Sequence, residues 1–293
     1  MQSETLKTWL KRSRAGRYLL MPYRLLYALS YYWPKLTRII GWVFRSREFT
    51  NFSYEVTDIS KDYTADTVSL VTGIASCQAS RYIAEFYETL EELRIHVQHY
   101  TPDSPDRYTM DLKVKPGRRI IYYALARALK PRLIVEAGVA QGLGTCILAT
   151  AVRRNLSEGF SGRIISVDLS PSAGHLIKPP YAGFVYVWNG DILQFLENEL
   201  KEQVNFYIHD TSGASENSEY DLVERRLSED AVVLSTWHTR AIMNLARRSS
   251  RNYMMFCDEP MDHWYPGCRI GLAFKFPKAS TIGPPRKVHP IES

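Results

Sequence analysis

The residues with the most chemical content stand at the middle of the chain, in Glu136-Ala137-Gly138-Val139-Ala140-Gln141-Gly142-Leu143-Gly144-Thr145. An apolar run, Leu133-Ile134-Val135, leads into this stretch, and the helical run Cys146 to Arg153 follows it. Strand, glycine-rich turn and helix in that order offer backbone N–H groups and a helix N-terminus to a nucleotide-like ligand. The spacing narrows the choice. A dinucleotide fingerprint beginning at Gly138 requires glycine at 140 and 143, where Ala140 and Leu143 stand. The pattern present is Glu-x-Gly-x-x-x-Gly-x-Gly, which makes Glu136, Gly138, Gly142 and Gly144 the candidate binding residues.

Further acids and imidazoles follow apolar runs. Asp168 closes Ile164-Ile165-Ser166-Val167, and Asp191 comes just after Phe184-Val185-Tyr186-Val187. Strand ends are where ligands of open α/β sheets sit, so both acids are candidates for the same ligand. Proton transfer needs a group within reach of the reacting atom. The candidates are His209 and Asp210 after Val204 to Ile208, His238 in Trp237-His238-Thr239, and His263 before the last apolar run. Imidazole titrates near neutrality and suits that work, although any one histidine taken alone reads better as a hydrogen-bonded structural residue. We expect at least one of these groups to serve an acceptor.

These residues need a sheet to position them. After Pro116-Gly117 the run Arg118 to Leu129 reads as helix, stopped by Pro131 before the first strand. Strands are expected at Leu133 to Val135, Ile164 to Asp168, Phe184 to Val187, Val204 to Ile208, Ala231 to Leu234, Tyr253 to Phe256 and Gly271 to Phe274, with acidic helix at Ser218 to Arg226. The turn can let a neutral adenosine and a methionine tail cross it, with Glu136 placed to hold an ammonium directly or through water. Glu136 to Thr145 resembles the first motif of class I S-adenosylmethionine-dependent methyltransferases, and the resemblance extends over roughly residues 117 to 276.

The resemblance implies an α/β fold, a Rossmann-like seven-stranded sheet with six parallel strands, the last antiparallel, and helices on both faces. It implies S-adenosyl-L-methionine as cofactor, with Asp168 on the ribose hydroxyls and Asp191, in Asn189-Gly190-Asp191, near the adenine. A carboxylate accepts from both hydroxyls of a vicinal diol, which is why an acid serves at this place. More narrowly, His209-Asp210-Thr211, the stretch Asp262-His263-Trp264-Tyr265-Pro266-Gly267 and Asn51-Phe52-Ser53-Tyr54 look like a bacterial O-methyltransferase branch of sugar, glycan or natural-product pathways. Asp210, His238 and His263 are then the candidate catalytic residues. Several members of the branch use a divalent metal; here Thr236-Trp237 stands where Asp-Asn is expected, so this chain supports that metal only in part. The same departure motivates the alternative of a catalytically inactive methyltransferase-like binding or scaffold protein.

The chain has 293 residues, 45% hydrophobic and 23% charged, which are globular proportions. Four scattered cysteines form neither a disulfide framework nor a CxxC pattern, so a reducing compartment is expected. The net charge of +6 is uneven: residues 1 to 50 hold ten Lys/Arg against Glu4 and Glu48, leaving the remainder slightly acidic. Nucleic acid is therefore not an expected partner. The basic end also carries Tyr18 to Tyr23, Leu25 to Pro34 and Ile39 to Phe44, interrupted by Arg24, Pro22 and Pro34, too broken for a spanning helix or a cleavable signal. Residues 17–47 read either as an interfacial segment on an anionic membrane or as helices packing on the domain or on a second copy in a homo-oligomer. Four segments follow: a helical arm at 1–49, a helical accessory or substrate-cap region at 50–115, the methyltransferase domain at 116–278 and a tail at 279–293. We expect a cytoplasmic protein on the inner face of the membrane, acting on a hydroxylated small-molecule or glycan acceptor.

Overall fold

The computed structural model describes Thr8 and residues 14–48, 53–104, 107–110, 112–211, 215–237 and 239–277. Its centre is a seven-stranded sheet built from β2 (Leu133–Ala137), β3 (Arg163–Asp168), β4 (Val185–Asn189), β5 (Val204–His209), β6 (Leu227–Ser235), β7 (Asn252–Cys257) and β9 (Arg269–Phe274). Strand order is β4-β3-β2-β5-β6-β9-β7. Pairing is parallel from β4 to β6, whereas β9 runs antiparallel to both its neighbours. This is the expected arrangement of six parallel strands and an antiparallel last one.

Alternation along the strands explains why both faces are covered. In β2, Ile134 joins one core, while Leu133, Val135 and Ala137 join the other. In β5, Phe206 and Ile208 face the first core and Val204 and Tyr207 the second. The first core is closed by α3 (Asp58–Thr72), α4 (Ser76–Tyr100), α5 (Arg119–Leu129) and α6 (Leu143–Ser157). The second is closed by α7 (Glu216–Glu224) and α8 (Arg240–Arg248). One buried cation ties the first layer together. Arg127, 1% exposed, donates to Glu85 on α4 at 2.6 Å and to Glu158 and Asn155 at the end of α6, and its guanidinium lies 4.7 Å from the Tyr82 ring centroid.

At the N-terminal side, α1 (Arg14–Leu19) is followed by α2 (Met21–Arg45). Pro22 stands in the first turn of α2, where a missing N–H costs little. The sequence suggested a break at Pro34, but α2 continues through it, and Thr37 Oγ1 donates to the Pro34 carbonyl at 2.8 Å. No residue of α2 is buried. Beyond it, β1 (Glu55–Val56) pairs antiparallel with β8 (Pro260–Met261), which clasps the N-terminal segment to the connection between β7 and β9. Among the described residues no helix is long and apolar enough to cross a membrane.

Candidate active site

The C-terminal ends of β2, β3 and β5 and the turns after them surround a cavity of about 450 Å³. The chain leaves β2 through Gly138, whose N–H donates to the Val167 carbonyl at 2.9 Å. Gly138 has φ +91°, and a Cβ there would run into the Asp210 backbone. Only glycine meets both demands. Gly142, at φ +93°, caps α6, and a Cβ on it would press on Ile177 at 2.9 Å.

Five of the six residues expected to hold a ligand border the cavity: Glu136, Gly138, Gly144, Asp168 and Asp191. Gly142 does not border it and instead shapes the turn. Asp168 Oδ2 accepts from the N–H groups of Val139 and Ala140 at 2.8 and 2.9 Å, and Oδ1 accepts from Ser170 N at 2.8 Å. This carboxylate therefore fixes the glycine-rich turn to the end of β3. Asp191 caps the short helix after β4, accepting from Leu193 N at 2.7 Å. Glu136 is buried; its Oε2 accepts from Thr145 Oγ1 at 2.6 Å and Ser166 Oγ at 2.9 Å. Burial pushes the Glu136 carboxyl up to about 7 against the pull of those two hydroxyls.

Of the candidate proton acceptors, Asp210 borders the cavity. Arg118 Nη2 donates to its two oxygens at 3.0 and 2.7 Å, and Thr236 Oγ1 donates to Oδ1 at 2.7 Å. Burial draws the Arg118 guanidinium down, but Asp210 outweighs it and holds the group well above its usual range. His209 lies behind the site, buried, with Nδ1 2.6 Å from Glu219 Oε1, which also accepts from Tyr207. Burial opposes its charge, yet the Glu219 contact raises the imidazole overall. It reads as structural. His263 lines a different cavity, and its Nδ1 accepts from Tyr265 N at 2.9 Å. The Tyr54 ring packs against His263 and Tyr265, and Tyr54 Oη donates to Asp258 at 2.8 Å. His238, together with Asn51 and Phe52, lies outside the described residues.

Sequence reasoning missed Arg118 and Arg119, which both border the cavity. A signal was present: two adjacent cations open α5, where the helix dipole disfavours positive charge, so another interaction must hold them there. Arg119 makes no ion pair among the described residues, and burial together with the Arg118 charge pulls its guanidinium below the usual range. Among the described residues no group of three His, Cys, Asp or Glu could hold a metal ion.

A family model described as a methyltransferase domain matches residues 135–235. No curated protein matches the chain. Solved structures with a similar course include the O-methyltransferase TomG of Streptomyces achromogenes, in complex with SAM, at 16% identity, covering 65% of this chain and 90% of that one with a TM-score of 0.42. An O-methyltransferase from Bacillus cereus in complex with SAH has 19% identity, covering 64% and 91%, with a TM-score of 0.41. An SAH-bound methyltransferase from Podospora anserina has 13% identity, covering 62% and 86%, with a TM-score of 0.45. With its sheet order and its glycine-rich turn between β2 and α6, the chain resembles the class I S-adenosylmethionine-dependent methyltransferases, and residues 135–235 match a methyltransferase domain family.

Proposed function

We propose that the chain transfers a methyl group from S-adenosylmethionine to a hydroxyl of a sugar, glycan or natural product. The observation that carries this reading is the set of three carboxylates, Glu136, Asp168 and Asp191, around one cavity at the ends of three adjacent strands. Such a set suits a ligand with an ammonium, a sulfonium and a ribose, and it opposes a pyrophosphate. Glu136 would hold the ammonium, Asp168 the ribose, and Gly138 and Gly144 leave room for the backbone to approach. Asp191 would stand near the adenine. Arg119 supplies a cation for the carboxylate of the methionine tail.

When bound, the cofactor supplies a methyl group already activated on sulfur. The chain's own task is alignment and removal of the hydroxyl proton. Asp210 is the group for that task within the cavity, and Arg118 and Thr236 lock its orientation from behind. We assign it to the acceptor hydroxyl. Transfer of labelled methyl from S-adenosylmethionine to a panel of hydroxylated acceptors tests the reading. The expected result is turnover that falls by roughly 100-fold or more in Asp210→Asn with cofactor affinity kept. Both Asp210 oxygens are already engaged, which favours one second reading, a scaffold that binds the cofactor without using it. Intact cofactor binding with no transfer to any acceptor would select that reading.

The exposed face of α2 supports a finer location. At 3.6 residues per turn, Leu25, Leu29, Tyr32, Leu36 and Val43 share one face, and all are exposed. Arg38 and Arg45 lie on the opposite side, beside the exposed Tyr27 and Tyr31, while Arg24 and Lys35 flank the apolar face, and α2 contains no acid. A helix of this kind lies in a membrane interface with its apolar face down and its cations near anionic headgroups. We place residues 17–47 on such a surface, where a membrane-borne acceptor would be presented.

A further inference from the structure

Between α2 and the body of the protein lies a second cavity, of about 660 Å³. One stripe of α2, running from Thr37 through Trp42 to Arg45, forms one wall; Lys113, Lys115 and the Asp262–Trp264 segment form the other. The walls are joined by Trp42 on Trp264, ring centroids 5.3 Å apart, and by Arg38 and Asp262 at 3.4 Å. The stripe is the one opposite the exposed apolar face. Among the described residues five cations border the cavity, Arg38, Arg45, Arg47, Lys113 and Lys115, against two carboxylates, Glu48 and Asp262.

Two negative charges offset five positive ones only in part. Glu48 is taken up by Trp42 Nε1 at 2.8 Å, by Ser46 Oγ at 3.0 Å and by the Ser53 N–H. Among the described residues Asp262 pairs with Arg38, and the Asp262 side chain is largely in solvent. Arg47 donates to the Arg107 carbonyl at 2.6 Å, while Arg45 and Lys115 make no ion pair among the described residues. Like charges gathered around one hollow repel unless something negative joins them. The wall is also built at a conformational cost. Val114, between the two lysines, is buried at φ +49°, and Asp262 has φ +51°. A β-branched residue in the left-handed region is strained and persists only where its surroundings hold it.

We infer that this cavity is a binding site for a phosphate or diphosphate group, held by Arg45 and Lys115 and flanked by the Trp42 and Trp264 indoles. Guanidinium and ammonium donors converging on one hollow are the ordinary chemistry of phosphate recognition. The inference rests on the interfacial reading of α2 for its preferred source. A helix about 10 Å thick, lying apolar face down, holds the cavity above the acyl chains, at the level where lipid phosphates stand. It does not rest on methyl transfer.

The test is calorimetric titration of the full chain with inorganic pyrophosphate. The proteins compared are wild type, Arg45→Gln with Lys115→Gln, and the charge-keeping pair Arg45→Lys with Lys115→Arg. We expect binding by wild type, a loss of at least about tenfold in the glutamine pair, and retention in the charge-keeping pair. Equal melting temperatures and equal heats with S-adenosylmethionine across the three proteins separate loss of this site from loss of the fold or of the first cavity. Binding to phosphatidylcholine vesicles with and without phosphatidic acid distinguishes the sources. If the glutamine pair loses the preference for phosphatidic acid, the ligand is a lipid headgroup; if it loses pyrophosphate alone, the ligand is a soluble phosphorylated molecule. No heat from wild type, or equal affinity in the glutamine pair, overturns the inference, and S-adenosylmethionine binding would then still stand or fall by itself.

Discussion

Glu136 shows how one buried carboxyl couples fold and ligand. Burial raises it to about 7, so its ionisation is costlier in the folded chain than in the unfolded one. Its contribution to stability is complete below the ordinary carboxylate range and is lost as pH rises through the folded value. A cationic ligand would reverse that cost, because an ammonium beside the carboxylate favours the charged form. In Glu136→Gln the hydroxyls of Thr145 and Ser166 keep an acceptor. We therefore expect the variant to be more stable than wild type by about 1–3 kcal/mol at pH 8 and nearly equal at about pH 5. It should also bind S-adenosylmethionine more weakly. Thermal melts across that range check the first point, and parallel pH profiles for the two proteins would contradict it. Asp168 makes a contrasting case. It reads as a ligand group, and the structure adds that one oxygen already holds the turn through the N–H groups of Val139 and Ala140 while the other accepts from Ser170 N. A residue at this position has two uses, and sequence spacing reveals only where it stands.

At the scale of elements, the layer of α4, α5 and α6 depends on Arg127. Its guanidinium is enclosed and satisfied by Glu85, Glu158 and Asn155. Among the described residues, removing the cation leaves Asn155 Oδ1 without its donor and Glu85 with Tyr123 alone, and because the Glu85 and Glu158 carboxylates are partly exposed the cost is about 1–3 kcal/mol. Urea denaturation of Arg127→Met should show a loss of this order, and a loss below about 1 kcal/mol would contradict the assigned role. The Arg127 hydrogen bond, with Lys130, holds the Glu158 carboxyl down to about 2, so the contribution of that pair fades as pH falls from the usual carboxylate range toward that value. The sheet and the glycine-rich turn were legible because their signals are local: apolar runs, stop residues and glycine spacing within a few positions. Asp210 was legible as a strand end. Arg118 and Arg119 were not, because they reach the cavity only once α5 packs into the layer of α3, α4 and α6. His263 reads with Asp210 from the branch resemblance and from its turn before the last strand; the β1 and β8 pairing and the Tyr54 ring beside it set it on another cavity. Pro34 reads as a break because the rule is local, yet α2 continues through it.

At the scale of the whole molecule, the protein is a two-sided sheet with its ligand face at the strand ends and an amphipathic helix joined through a basic cavity. The helix makes a claim that can be tested without disturbing the fold. Leu29 and Leu36 are about half exposed and outside the buried core. Glutamates at both places, Leu29→Glu with Leu36→Glu, should abolish flotation with anionic vesicles and leave the melting temperature unchanged, and salt should weaken wild-type flotation. Unchanged flotation would return α2 to a protein-packing role. Charge bias and aromatic content pointed to this surface, but which face of α2 meets the body is a tertiary fact that the residues of α2 alone do not carry. The central claim is the cofactor, and calorimetric titration with S-adenosylmethionine and its demethylated product tests it most directly. The account predicts saturable heat with both, lost in Asp168→Ala, and none with NAD; silence with both, or binding of NAD instead, would contradict it.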